Sequence, residues 1–251
     1  MAPWALGGRS GARMGDPVFV FMLTRRDATV PHARAVARQA LAAGVRHIGF
    51  KDVGAAPGTL AALARELKEG GATTYLEVVS LDEASERASA ELALRIGVDR
   101  LMGGTRPWAV APLVRGEPVS YFPFAGRIEG HPSRLAGPMS EIVASAAEIA
   151  AIPGVDGLDL LAYRSALDAP ALIRAVCRAA AKPVIVAGSI DSPQRIAAVC
   201  DAGAHGFTVG TAAIEGAFAS DRPGLAGQLA AIAAAARAPR GLAIGEAARR
   251  S

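Results

Sequence analysis

Of the 27 basic residues in this 251-residue chain, only Lys51, Lys68 and Lys182 are lysines. Where arginine is the default cation, a lysine closing an apolar run, Ile48-Gly-Phe-Lys51, invites a chemical reading. Unlike arginine it can lose its proton, and so act as a base or form a Schiff base with a carbonyl. Two carboxylates occupy comparable places, Glu77 in Tyr75-Leu-Glu-Val78 and Asp159 in Leu158-Asp-Leu-Leu-Ala162. If these runs are strands, alternation sends Ile48, Phe50, Leu76, Val78, Leu158 and Leu160 to one face. Gly49, Lys51, Glu77 and Asp159 then face the other way, where a cation and two carboxylates would meet. That trio suits proton abstraction beside a carbonyl, with Lys51 as base or Schiff-base amine and the acids as proton shuttles. The same residues also suit a structural ion pair, Lys51 with Glu77 or Asp159, closing a polar layer. A divalent cation held by Glu77, Asp159 and His131 is a further alternative, although the sequence requires no cofactor.

A second constellation lies near the end of the chain. Pro183-Val-Ile-Val-Ala-Gly-Ser189 and Gly206-Phe-Thr-Val-Gly-Thr211 are β-branched runs ending in glycine and a hydroxyl residue, one helix length apart. Adjacent parallel strands with such turns offer backbone N–H groups to a phosphate, here from Gly188, Ser189, Gly210 and Thr211. The small-residue segment Thr211-Ala-Ala-Ile214 reads as the short extra helix that accompanies such a cradle.

Both constellations require a scaffold, and the intervening pattern supplies one. Apolar runs near residues 18–23, 45–51, 73–79, 100–103, 119–124, 155–162, 184–187 and 206–209 alternate with helical stretches. Eight β/α units with no leftover domain predict a (β/α)8 TIM barrel in a single domain. Thr29 is expected to cap the first helix, and Gly97 to end the third. The strand ends then contribute Thr24, Arg25, Asp52, Thr105, Tyr163 and Arg164 as further ligand contacts, because active sites of such barrels sit there, and Asp27 also falls at the end of the first run. The long Gly/Pro-containing loop 125–138 carries Arg127 and His131, a candidate catalytic residue, and has room to fold over the mouth as a lid.

Composition sets the remaining bounds. The chain is 51% hydrophobic, enough for a sizeable core, yet no long uncharged apolar run suggests a membrane span. The net charge of +4 sits at the ends: +1 in residues 1–16 and +3 from Arg237 onward. A balanced body gives no sign of a nucleic-acid surface. We expect a disordered extension over 1–16, with Met14 as an alternative start, a barrel over 17–237 and a basic tail over 238–251. Two cysteines, Cys177 and Cys200, in apolar helical contexts suit a reducing cytoplasm rather than a disulfide framework.

Val184-Ile-Val-Ala-Gly-Ser-Ile-Asp-Ser-Pro193 with Ala202-Gly-Ala-His-Gly-Phe-Thr-Val-Gly-Thr-Ala-Ala213 resembles the phosphate-binding end of the ribulose-phosphate-binding barrel superfamily. The likeness is to N-acetylmannosamine-6-phosphate epimerases, histidine-biosynthesis isomerases and thiamine-phosphate synthases. It implies phosphate contacts from Gly188-Ser189 and Gly210-Thr211, and a barrel lysine and carboxylate loosely matched by Lys51 with Glu77 or Asp159. The paired aspartates of the histidine-pathway isomerases are absent, since the fifth run ends Phe122-Pro-Phe-Ala125. Phe50-Lys-Asp52, Leu101-Met-Gly-Gly-Thr105 and Gly130-His-Pro132 resemble a bacterial group of uncharacterised barrels, some labelled 4-hydroxythreonine-4-phosphate dehydrogenase. No nicotinamide-binding pattern accompanies that likeness.

The expected function is an isomerase, epimerase or lyase acting on a small phosphorylated sugar-like or carbonyl compound. The alternatives are an oxidoreductase holding FMN by its phosphate in the same turns, and a non-catalytic barrel that binds a phosphometabolite. Apolar helix faces often pair two copies of such barrels, so a homodimer is also an expectation.

Overall fold

The computed structural model describes residues 17–238. The expected extension over 1–16, the alternative start at Met14 and all of the basic tail beyond Ala238 lie outside the described residues. Eight of the apolar runs become parallel strands: β1 (Val18–Met22), β2 (His47–Lys51), β3 (Thr73–Val78), β4 (Arg100–Gly103), β5 (Ser120–Phe122), β6 (Leu158–Leu160), β7 (Val184–Val186) and β8 (Gly206–Val209). They pair in the order β6-β7-β8-β1-β2-β3-β4-β5. A parallel bridge between Phe124 and Asp159 joins the two edges, with Ala125 N donating to Asp159 O at 3.0 Å. The sheet is a (β/α)8 TIM barrel.

Around it run α1 (Ala33–Ala42), α2 (Pro57–Glu69), α3 (Glu83–Ile96), α4 (Pro107–Val114), α5 (Met139–Ala150), α6 (Ala169–Ala180), α7 (Pro193–Asp201), the one-turn α8 (Thr211–Ile214) and α9 (Gly224–Arg237). Each long helix forms because its apolar residues recur every three to four positions and bury against the sheet; α6, for example, buries Leu172, Ile173 and Val176. Fully burying each such side chain contributes about 1.5–3 kcal/mol. Local signals set the ends: Asp82 caps α3 by accepting from Ser85 N at 2.9 Å, and Gly97 ends it with φ +68°. Among the described residues, no helix is long and apolar enough to cross a membrane.

The strands alternate as the sequence requires. Ile48, Phe50, Leu76, Val78, Leu158 and Leu160 pack outward into the helix layer. Val20, Met22, Tyr75, Met102, Phe122 and Ile185 form a separate inner cluster that fills the barrel. Gly49 belongs to that interior, where an added Cβ would fall 2.4 Å from Met22 Sδ. The filled interior is the floor on which the polar residues at the strand ends rest.

Two departures from expectation reshape the mouth. Thr29 does not cap α1; its hydroxyl bonds both Lys51 N (2.8 Å) and Lys51 O (2.9 Å). It belongs to a small antiparallel ladder, Thr24–Arg25 with Ala28–Thr29, whose turn residues Arg26 and Asp27 take φ +49° and +61°. The loop 125–138 is itself a hairpin, pairing Arg127–Glu129 with Arg134–Ala136. A single-sequence reading misses such ladders because strands of two or three residues carry too little periodicity.

Candidate active site

Lys51 ends β2 pointing inward, at 4% exposure, between two carboxylates. Its Nζ donates to Asp27 Oδ1 at 2.8 Å and to Glu77 Oε1 at 3.0 Å. Glu77 faces it by register, since Lys51 and Glu77 are paired across β2 and β3. Burial favours loss of the ammonium proton, but the charges of Glu77 and Asp27 outweigh it and raise the Lys51 pKa above its ordinary value. The Lys51–Asp159 pairing allowed by the sequence is not formed. Lys51 is thus a held cation in the free site, fixed between two carboxylates.

Asp27 is the hub of the cluster. Its Oδ2 accepts from Arg164 NH1 at 2.7 Å and from Ser133 N at 2.9 Å, while Oδ1 faces Lys51. Burial pushes its carboxyl up, but the Arg164 hydrogen bond and the Lys51 charge hold it well below the usual carboxylate range. The left-handed turn at Arg26 and Asp27 delivers this carboxylate; for non-glycine residues that backbone costs of order 1 kcal/mol each. Asp159 is different. It is fully buried in the barrel, and neither carboxyl oxygen has a hydrogen-bond partner among the described residues. Burial first, then the nearby Glu77 charge, push its proton affinity well above the ordinary value, against Lys51 and Arg164.

Above this floor opens a cavity of about 540 Å³. Lys51, Glu77 and Asp27 line its bottom, and the turns after β7 and β8 line a wall through Gly188, Ser189, Gly210 and Thr211. Gly188 takes φ +77° and Ser189 φ +56°. A Cβ on Gly188 would lie 2.3 Å from Arg164 Nε, so glycine lets the guanidinium pack flat on the turn. A Cβ on Gly210 would lie 2.6 Å from Thr24 Oγ1. Gly210 precedes α8, whose first N–H groups, at Thr211 and Ala212, have no acceptor within the helix. Arg164 therefore links the turn after β7 to Asp27, and through Asp27 to Lys51.

The other sequence-chosen residues divide sharply. Thr24, Tyr163 and Arg164 line the cavity. Asp159 lies sealed beneath it. Asp52 turns away to clip the next loop, accepting from Val79 N, Ser80 Oγ and Ser89 Oγ at 2.9–3.1 Å. Thr105 donates its N–H and hydroxyl to the buried Glu86, anchoring the turn after β4. Arg25 is exposed and pairs with Glu215 at 2.6 Å, and Arg127 pairs with Glu129 on the exposed hairpin. His131 is exposed at the hairpin tip and does not line the cavity, so the expected lid histidine and the Glu77/Asp159/His131 metal set are not assembled. No group of three or more metal-ligating residues occurs among the described residues.

Asp27 stands at a strand end with no role legible from its neighbours in sequence, and Thr208, Arg195, Asp191 and Glu215, none of them a sequence candidate, also line the cavity. Thr208 was findable, since alternation in Gly206-Phe-Thr-Val209 turns it inward with Gly206. Arg195 had no sequence signal: it reaches over the Tyr163 ring, 5.0 Å from the centroid, and pairs with Asp191 at 2.9 Å.

No protein-family model matches the sequence, and no curated protein is similar to it in sequence. Solved structures are similar in fold. A chain of the Amycolatopsis orientalis BexX/CysO complex is 20% identical, with 91% of each chain covered and a TM-score of 0.58. Orotidine 5'-phosphate decarboxylase from Pyrococcus horikoshii OT3 is 17% identical over 88% of this chain and 100% of its own, with a TM-score of 0.59. An HpcH/HpaI aldolase from Desulfitobacterium hafniense DCB-2 is 12% identical over 78% and 87%, with a TM-score of 0.58. At these identities the likeness is one of fold, the (β/α)8 barrel.

Proposed function

We propose that the chain is an enzyme of the isomerase, epimerase or lyase type, acting by proton abstraction on a small phosphorylated carbonyl compound. One observation carries this reading: a buried lysine ammonium flanked by two carboxylates forms the floor of a cavity walled by two glycine-hydroxyl turns. Fold analogy adds only that barrels of this shape include an orotidine 5'-phosphate decarboxylase and an aldolase.

In this reading the turns at Gly188-Ser189 and Gly210-Thr211 hold the phosphate, as the resemblance to ribulose-phosphate-binding barrels implies. The carbonyl oxygen reaches Lys51 Nζ, and Glu77 takes the proton from the adjacent carbon. The C–H electron pair moves into the C–C bond, and the negative charge that develops on oxygen is stabilised by the ammonium. A preorganised cation in a dry floor is most effective here, because no solvent must reorganise as charge develops. Asp27 positions Lys51 and is not in the proton path. Asp159, its proton affinity raised by burial and by the Glu77 charge, lies sealed beneath the floor. Delivery of a proton from solvent to the opposite face of the same carbon gives an epimer; return of the abstracted proton from Glu77 to the neighbouring carbon gives an isomer. Expulsion of a leaving group from the enolate gives a lyase reaction.

The test is solvent exchange. Phosphorylated aldoses and ketoses are incubated with the protein in D2O, and loss of the C–H signal beside the carbonyl is followed by NMR. At least one compound should exchange with the wild type and stop exchanging with Glu77→Gln and Lys51→Met, each verified as folded by circular dichroism. Exchange that persists undiminished in Glu77→Gln would overturn the assignment of the base.

A further inference from the structure

Beside the mouth lies a second cavity of about 810 Å³, and Tyr163, Arg164 and Ser189 line both spaces. Its outer wall is the hairpin, through Ser133 and Arg134. Three features of this wall point to a ligand. Arg134 is exposed and has no ion pair among the described residues, whereas the hairpin's carboxylate, Glu129, is taken by Arg127. Arg164 spends NH1 on Asp27 and on Ser133 O (3.2 Å), so its charge reaches both cavities from their shared wall. Ser133 is fully buried, and both its backbone N–H and its carbonyl are engaged by the Asp27–Arg164 pair. Its hydroxyl alone has no partner, although a buried hydroxyl without one is a net cost to the fold.

The mouth cavity already has the volume for a small phosphorylated carbonyl compound, and the adjoining space is larger still. We propose that this second cavity is an anion subsite. The substrate then carries, besides its phosphate, a second anionic oxygen group at the far end, a carboxylate or another phosphate. Arg134 and Arg164 recognise its charge, and the Ser133 hydroxyl donates to one of its oxygens. The inference rests on the phosphate reading of the turns after β7 and β8. It places specificity for the length and terminal charge of the substrate in the hairpin, away from the reacting carbon.

Three linear six-carbon probes test this by titration calorimetry of the full chain: glucitol 6-phosphate, 6-phosphogluconate and glucitol 1,6-bisphosphate. The first has one anionic end, and the others add a carboxylate or a phosphate at the opposite end. At least one two-ended probe should bind about tenfold more tightly than glucitol 6-phosphate, the gain of a good charge-assisted contact. The tighter of the two identifies the terminal group. Arg134→Gln and Ser133→Ala should each erase most of that gain and leave glucitol 6-phosphate binding unchanged. Equal binding of all three probes, or a gain that survives both substitutions, overturns the second subsite while the phosphate reading stands. If neither the probes nor inorganic phosphate binds, the phosphate reading falls and takes this inference with it.

Discussion

Replacing Lys51 by methionine removes the cation and keeps its apolar stem. Asp27 retains Arg164 and Ser133 N, but Glu77, 2% exposed, loses its one ion-pair partner among the described residues. Removing one member of a buried pair costs about 3–5 kcal/mol, because the other charge stays buried without compensation. For a chain of this size each kcal/mol moves Tm by roughly 2–4 °C, so Tm should fall by about 6–20 °C. In the wild type Lys51, with its raised pKa, keeps its stabilising charge until strongly alkaline pH, so the pair contributes throughout the neutral range. Urea unfolding at pH 7 measures the loss, and the double variant Lys51→Met/Glu77→Gln should recover about 2 kcal/mol or more. A single variant less than about 1 kcal/mol below wild type would refute the claim that a desolvated ion pair forms this floor.

Further predictions concern the neighbours of that pair. Asp27 has a depressed pKa, so its contribution to stability is present above about pH 4 and lost as pH falls through its lower folded value. Asp27→Asn should flatten the acid limb of an unfolding-versus-pH curve, and an unchanged limb would contradict the hub role. Asp159 has a raised pKa, so the wild type loses stability at this residue as pH climbs above the carboxylate range. Asp159→Asn should then be as stable as wild type at pH 4 and more stable at pH 8, by about 1 kcal/mol or more, in the same unfolding assay. Gly188→Ala combines φ +77° with a Cβ 2.3 Å from Arg164 Nε; it should cost about 1–3 kcal/mol and weaken phosphate binding at least about tenfold in a calorimetric titration.

Asp27 shows how the mouth is wired. One carboxylate touches the cation of the floor, the arginine packed on the β7 turn and the backbone of the hairpin. A ligand that draws Arg164 toward its own charge therefore also changes the field at Lys51.

The sequence by itself determined the barrel. Eight apolar runs spaced by helical stretches admit few parallel arrangements, and period-two alternation turns Lys51, Glu77 and Asp159 inward whatever lies around them. The two glycine-hydroxyl turns were legible for the same reason, since they depend on local backbone chemistry. Tertiary structure alone decided the rest. Asp27 reaches Lys51 across 24 positions, and Arg164 reaches Asp27 across 137, through turns whose direction no local pattern encodes. Asp52 and Thr105 stand at strand ends just as Lys51 does, yet a backbone amide with two serine hydroxyls, and a buried glutamate, claimed them first. His131 went to the exposed tip of a hairpin too short to carry a period. Periodicity fixes which face a side chain takes; which partners it finds there depends on chain segments far away in sequence.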